Sequence, residues 1–90
     1  MQREDVLNRA REIVTGHRTE AYGSPEDNFK RIASYWSTYL NHEITTVNVA
    51  DMMILLKMAR NVGGTGSIDN YIDIAGYAAC AGEIFEQTNG

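Results

Sequence analysis

Two aspartates, Asp69 and Asp73, stand four residues apart on a segment with helical periodicity, so their carboxylates should project from one helix face. Like charges at this spacing repel, and a compensating group is expected: solvent, a cation such as Lys57 or Arg60, or a bound metal ion. A simpler explanation is that Asp69 caps the helix and Asp73 forms an ordinary salt bridge. The sequence leaves both explanations open.

Asp51 is a third acid of interest because it leads into the most apolar stretch of the chain, where an unpaired charge is costly. If the third and fourth helices are antiparallel, Asp51 need not lie beside Asp69 within one chain, whereas a symmetric oligomer can bring the two together. An acid in the first helical turn that complements the helix dipole explains Asp51 equally well.

Two cations, Lys57 and Arg60, lie three residues apart near the end of the same apolar segment. Cations at a helix C-terminus complement the dipole, which is one explanation for them. The functional alternative is that they bind phosphate oxygens while a metal ion bridges the same phosphates to carboxylates opposite.

The segment 16–29 is rich in side chains that recognise ligands. Arg18 and His17 are suited to phosphate. Tyr22 is suited to stacking on a base, and Asn28 to a hydrogen bond with a base edge or a sugar. Polar loops that contain tyrosine are also common without any ligand, so the composition alone does not decide the role of this segment.

The composition describes a single domain over residues 1–90, with 8 basic and 12 acidic residues, a net charge of −4 and 43% hydrophobic residues. Because so small a domain buries proportionally little surface, we expect a homo-oligomer. The acidic balance disfavours nucleic acid and anionic membranes as partners. The lone Cys80 predicts a buried, inert thiol. A charged start and a longest apolar run of only residues 52–56 predict a cytoplasmic protein.

Helical periodicity and capping residues predict four helices and therefore an all-α, four-helix bundle-like fold. The first helix should end at Gly16, and the second should begin after a Ser24 cap. A cap at Thr45 or Thr46 begins the third. The predicted bounds of the last three helices are Pro25 to about Asn41, Thr46 to about Arg60, and Asp69 to about Gln87.

Three further features constrain the packing of these helices. The third helix is apolar all round at residues 52–56, which predicts a position in the centre of the bundle. Gly76 and Gly82 predict close helix approach or room for a ligand, and the glycine-rich residues 63–67 predict a flexible linker. The second helix should bury one apolar stripe made of Phe29, Ile32, Ala33, Trp36, Tyr39 and Leu40.

A set of ordered motifs covering nearly the whole chain resembles a family of small bacteriophage proteins, most of them described as of unknown function. That family is in turn remotely similar to the all-α nucleoside triphosphate pyrophosphatases, the MazG and dimeric dUTPase-like group. The motifs are Arg18-x-x-x-Tyr22-Gly23-x-x-x-x-Asn28-Phe29, Ile32-Ala33 with Trp36, Asp51-x-Met53-x-x-Leu56-Lys57-x-x-Arg60, and Asp69-x-x-x-Asp73-x-x-Gly76-Tyr77.

The resemblance implies an oligomeric helical bundle in which carboxylates on two helices hold magnesium and a metal-bound water attacks the nucleotide. Asp69 and Asp73 match the later acidic motif of the pyrophosphatases. Lys57 and Arg60 would then bind phosphate, while Tyr22 and Asn28 would face the nucleoside.

One departure from the pyrophosphatase pattern concerns the first half of the metal site. The pyrophosphatases carry a cluster of glutamates on an earlier helix, whereas the second helix here offers only Glu26 and Asp27, both at its start. The first half of the metal site is therefore either missing or replaced by Asp51 or Glu20. The predicted catalytic and metal-binding set is Asp51, Asp69 and Asp73.

The predicted function is the binding of phosphorylated nucleotides in the cytoplasm of an infected bacterial host. A magnesium-dependent pyrophosphohydrolase, which converts a nucleoside triphosphate to the monophosphate and pyrophosphate, is the first expectation. The alternative is a noncatalytic binder that sequesters a nucleotide signal of host antiviral defence. A structural partner protein without a small ligand is the third.

Overall fold

The computed structural model describes residues 1–16 and 24–89, with side chains through residue 88. Within these ranges the chain forms four α-helices and no strand, which confirms the predicted all-helical class for this part of the chain. No helix among the described residues is both long and apolar enough to cross a membrane. The helices are α1 (Arg3–Thr15), α2 (Pro25–Leu40), α3 (Thr46–Gly63) and α4 (Ile68–Asn89).

Local capping chemistry explains where the helices begin. The Ser24 hydroxyl accepts a hydrogen bond of 3.2 Å from the Asp27 amide, and Pro25 occupies the first helical position. Thr45 and Asn48 form a reciprocal capping box at the start of α3, with hydrogen bonds of 3.0 and 3.1 Å. Of the two caps predicted for this helix, Thr45 is the one used.

The helix ends follow the predictions less closely. Gly16 ends α1 as predicted, and its amide donates to the Glu12 carbonyl at 2.8 Å. Asn41 ends α2 in the left-handed conformation, with φ of 52°. The α3 helix extends three residues beyond the predicted end at Arg60, to Gly63.

The connection between α2 and α3 is short and makes the two helices antiparallel. The Ser37 hydroxyl accepts from the Ile44 amide at 2.8 Å and donates to the Ile44 carbonyl at 3.3 Å. This turn places Ile44 against the core. Tyr39 and Leu40 are consequently 88% and 52% exposed, so the predicted stripe of α2 is wrong at these two positions.

The core lies where α2, α3 and α4 meet. Phe29 and Ala33 of α2 pack with Val49 and Ala50 of α3 and with Ile84 of α4. The Phe29 ring also stacks on the ring of Tyr77, with 6.0 Å between the ring centroids. The α1 helix packs against α4, outside this cluster.

The predicted central position of α3 is wrong for the single chain. The helix packs against α2 and α4 with the side that carries Val49 and Ala50. Its opposite side is apolar but uncovered within the part of the chain that the structure describes, with Leu55 63% exposed and Met58 52% exposed. Two neighbouring helices cover one side of a cylinder only, so a helix that is apolar all round retains an apolar surface.

The two α4 glycines occupy different surroundings. Gly76 is buried, and a Cβ added there would lie 3.2 Å from Cγ1 of Val14, so the predicted close approach is confirmed where α1 packs on α4. Gly82 is exposed, and an added Cβ would meet no atom within 4 Å.

This difference predicts opposite outcomes for the same substitution. Gly82→Ala should raise the free energy of unfolding by about 0.5–1 kcal/mol, because alanine loses less backbone entropy in a helix. Gly76→Ala should be less stable than Gly82→Ala by at least about 1 kcal/mol, since Val14 and α1 must shift to accommodate the methyl group. Urea unfolding of both variants measures the difference. Equal stabilisation by both would contradict the close packing of α1 on α4.

Candidate functional site

Helix polarity brings three chain segments to one end of the molecule. Lys57 contacts Asp73 and Asn61 contacts Asn70, so α3 and α4 are antiparallel. The contact of Val14 with the position of Gly76 brings the end of α1 close to the same level. We call this region the Lys57 end; it comprises residues 14–16, 57–63 and 67–73.

The Lys57–Asp73 ion pair is the central polar contact of the Lys57 end. The Nζ atom lies 3.0 Å from Oδ2 of Asp73, and the two side chains are only 15% and 24% exposed. Solvent, a cation or a metal ion was expected to compensate the acidic face of α4. The structure shows a cation, Lys57, beside Asp73. Because both groups are largely withdrawn from water, each depends on the other for compensation.

Asp69 has a different environment from Asp73. It is exposed in the first turn of α4, where its carboxylate complements the helix dipole, and its amide donates to the Ser67 hydroxyl at 3.1 Å. The Asp69 and Asp73 carboxylates consequently do not share one compensating cation among the contacts that the structure shows.

An asparagine pair that the sequence analysis missed fixes the turn between α3 and α4. The Asn61 Oδ1 atom accepts from Asn70 Nδ2 at 2.8 Å and from the Ser67 amide at 3.0 Å. Asn70 is buried, and Gly66 has a positive φ of 79°, which favours glycine. The linker predicted at residues 63–67 begins one residue later, because Gly63 is helical, and its Ser67 end is hydrogen-bonded to α3. Its flexibility stays a prediction.

The predicted magnesium ligands are not brought together within one chain. Asp51 is exposed and lies more than one helical turn before Lys57 on α3, away from the Lys57 end. Across residues 1–16 and 24–89, no three side chains of His, Cys, Asp or Glu are placed to hold a metal ion. The described residues alone therefore do not fit a complete magnesium site, and the predicted set of Asp51, Asp69 and Asp73 stays a prediction.

Three of the predicted nucleotide ligands, Asn28, Lys57 and Arg60, lie within the described residues, and the other three do not. Asn28 is half-buried near the start of α2, and its Oδ1 atom accepts from the Arg31 guanidinium at 3.0 Å. Arg60 is exposed in the last turn of α3. Three further predicted ligands, His17, Arg18 and Tyr22, lie outside the described residues, as does the predicted acidic substitute Glu20.

A mainly apolar cleft of about 560 Å³ lies between α1, the start of α2 and α4. Cys80 lines it, half-buried, together with Glu26 and Glu83. Burial raises the pKa of the Cys80 thiol, and the two nearby carboxylates raise it further. The predicted inert thiol is thus placed where its reactive thiolate form is disfavoured.

Comparison with known proteins identifies the family. Residues 5–85 match the family model described as Domain of unknown function (DUF6378), which covers most of the chain. The chain belongs to this family. No solved structure matches the chain.

The individual relatives are bacteriophage proteins. The Gene 55 protein of Mycobacterium phage D29 is 46% identical over 85 residues, which cover 93% of this chain and 56% of that protein. The Gene 55 protein of Mycobacterium phage L5 is 45% identical over 74 residues, which cover 81% and 47% respectively. The chain thus spans about half the length of these relatives. The predicted phage family is confirmed, whereas the remoter similarity to pyrophosphatases stays a prediction.

The surroundings of Cys80 predict slow alkylation at pH 8. The raised pKa leaves less thiolate than in a free cysteine, so iodoacetamide should react more slowly and the rate should rise at a higher pH. Glu83→Gln removes one of the carboxylates that raise the pKa and should increase the rate at pH 8. Rate profiles of both proteins against pH, followed by mass spectrometry, test this. A wild-type profile matching free cysteine would contradict the assigned environment.

The ion pair between α3 and α4 predicts strong coupling in a double-mutant cycle. Lys57→Met should lower the free energy of unfolding by about 1–3 kcal/mol, because it leaves the Asp73 carboxylate partly buried without its partner. Combining it with Asp73→Asn should cost less than the sum of the single effects by about 1 kcal/mol. Denaturant unfolding of the four proteins gives the coupling energy. Additive effects within about 0.3 kcal/mol would show that the pair does not couple the helices.

Proposed function

We propose that the Lys57 end of the bundle binds a phosphorylated nucleotide. The observation that carries the proposal is that Lys57 and Arg60 lie on the last two turns of α3, beside the first turn of α4. Asn28 on α2 is a further ligand predicted from the sequence. His17, Arg18 and Tyr22 are further ligands predicted from the sequence, and they lie outside the described residues.

The charges at the Lys57 end suit a phosphate group. Lys57 and Arg60 lie on the last two turns of α3, and the amino-terminal end of α4 lies beside them. Helix amino termini favour anions, and a guanidinium binds phosphate oxygens in a bidentate manner. In the free protein, Asp73 holds the Lys57 ammonium group in place. A phosphate oxygen can replace one carboxylate contact of that ammonium group, which has three donors.

The Lys57–Asp73 ion pair favours a protein that binds the nucleotide without hydrolysing it. Magnesium-dependent hydrolysis requires carboxylates that are free to hold the ion, and the metal would supply an activated water when bound. Asp73 is instead engaged with Lys57 at 3.0 Å, and in the described part of the chain no three acidic, histidine or cysteine side chains form a metal-binding group. We therefore place binding without turnover ahead of pyrophosphohydrolysis, in which Asp51 or Glu20 would complete the site.

Incubation with a nucleotide panel separates these functions. The protein is mixed with linear and cyclic nucleotides, first with magnesium and then with a chelator, and both the solution and the heat-released bound fraction are analysed by chromatography. We expect an intact nucleotide in the bound fraction under both conditions. Monophosphate and pyrophosphate formed only with magnesium would instead establish the hydrolase, and loss of turnover in Asp69→Asn would assign the metal site.

Matched arginine variants test where the nucleotide binds. Arg60→Ala should weaken binding by at least about tenfold, the effect of losing one charge-assisted phosphate contact. Arg3→Ala removes the same charge at the opposite end of α1 and should leave the affinity within about twofold. Isothermal titration with the recovered nucleotide measures both. Equal weakening by the two variants would show a nonspecific charge effect, and no binding of any nucleotide would contradict the proposed function.

A further inference from the structure

The uncovered side of α3 forms a continuous apolar surface, which we call the α3 face. Met52, Leu55, Ala59 and Val62 follow one another at spacings of three, four and three residues, which places them on one stripe of a helix. Leu56 and Met58 flank the stripe. The exposed fractions are 39% for Met52, 63% for Leu55, 44% for Leu56, 52% for Met58 and 88% for Val62.

The α3 face is unusual because it concentrates exposed large apolar side chains on one helix. In the described residues, five of the thirteen exposed large hydrophobic residues lie on it, whereas three of the seven buried hydrophobic residues are alanines. Single exposed apolar residues are normal on protein surfaces, whereas a contiguous apolar patch marks an interaction site. Between Met52 and Val62 no charged side chain interrupts the stripe, since Lys57 and Arg60 lie behind it or to its side. Asp51, which is exposed, borders the face at its N-terminal end, four residues before Leu55.

We propose that the α3 face is the interface of a homodimer in which two copies of α3 pack against each other. The spacing of the stripe is the one that lets two helices interdigitate side by side. Ala59 lies in the middle of the stripe and allows close approach of the two helix backbones. A surface that is apolar along its whole length is complementary to itself, as a twofold interface requires.

The area of the α3 face reaches the lower limit for a specific pair. The five residues together expose roughly 500 Å², so complete burial in both copies would remove about 1,000 Å² from water, near the lower limit for specific interfaces. The lack of charge in the stripe also favours a second copy over a charged partner, because an ion buried against these side chains would lose its hydration without compensation. The proposal does not depend on the nucleotide site.

Sedimentation velocity over a range of protein concentrations tests the proposed interface. The wild-type protein should be a dimer at about 100 μM, and Leu55→Glu should weaken the dimer by at least about a hundredfold, because it buries a charge in the interface. Val62→Glu is a second variant at a highly exposed position, where folding does not depend on the side chain. Circular dichroism verifies that both variants remain helical.

Tyr39→Glu is the matched control, because Tyr39 is also 88% exposed but lies on α2, away from the α3 face. This variant should remain a dimer. A wild-type protein that is monomeric at the highest concentration would overturn the proposal. Helical Leu55→Glu and Val62→Glu variants that dimerise as tightly as the wild type would also overturn it.

Discussion

The antiparallel contact between α3 and α4 is the interaction on which the rest of the structure depends. It joins the two longest helices, and it is fixed at its end by the Asn61–Asn70 hydrogen bond and by the Lys57–Asp73 ion pair. The other helices are arranged on this pair: α2 covers one side of α3, and α1 packs on α4 at Gly76. Because the pair sets the level of every helix end, it also determines which side chains meet at the Lys57 end.

The same contact gives the polar residues two roles. Lys57 and Asp73 hold two helices together while they lie among the residues proposed to bind the nucleotide. A phosphate bound near Lys57 would change the partner of an ammonium group that links α3 to α4, so ligand binding should be coupled to the stability of this contact. The proposed binding residues would therefore lie on a helix pair that is tied together by the Lys57–Asp73 and Asn61–Asn70 contacts, which helps to position side chains.

The helices could be predicted because their signals are local. The Ser24-Pro25 start, the Thr45 cap and the Gly16 end depend on neighbours within four residues, and the structure shows each of them. The Gly76 approach was also predictable, since a glycine within an apolar helix indicates a close neighbour.

The remaining features depend on contacts between distant residues. The sequence offered Lys57 as one of several partners for the acids of α4, and only the pairing of helices selected Asp73. The Asn61–Asn70 bond joins residues nine positions apart around a turn, and its only local signals were an asparagine near a helix end and the glycines that follow. Exposure of the α3 face escaped prediction because an all-round apolar helix does not reveal how many neighbours cover it.

Amide chemical-shift mapping tests the proposed location of the nucleotide site most directly. The isotopically labelled protein would be titrated with each nucleotide of the panel. We predict that the shifts concentrate at residues 57–63 and 67–73, while residues 3–7 and 37–49 at the opposite end remain unchanged. Shifts centred on residues 37–49, or no saturable shift with any nucleotide, would contradict a nucleotide site at the Lys57 end.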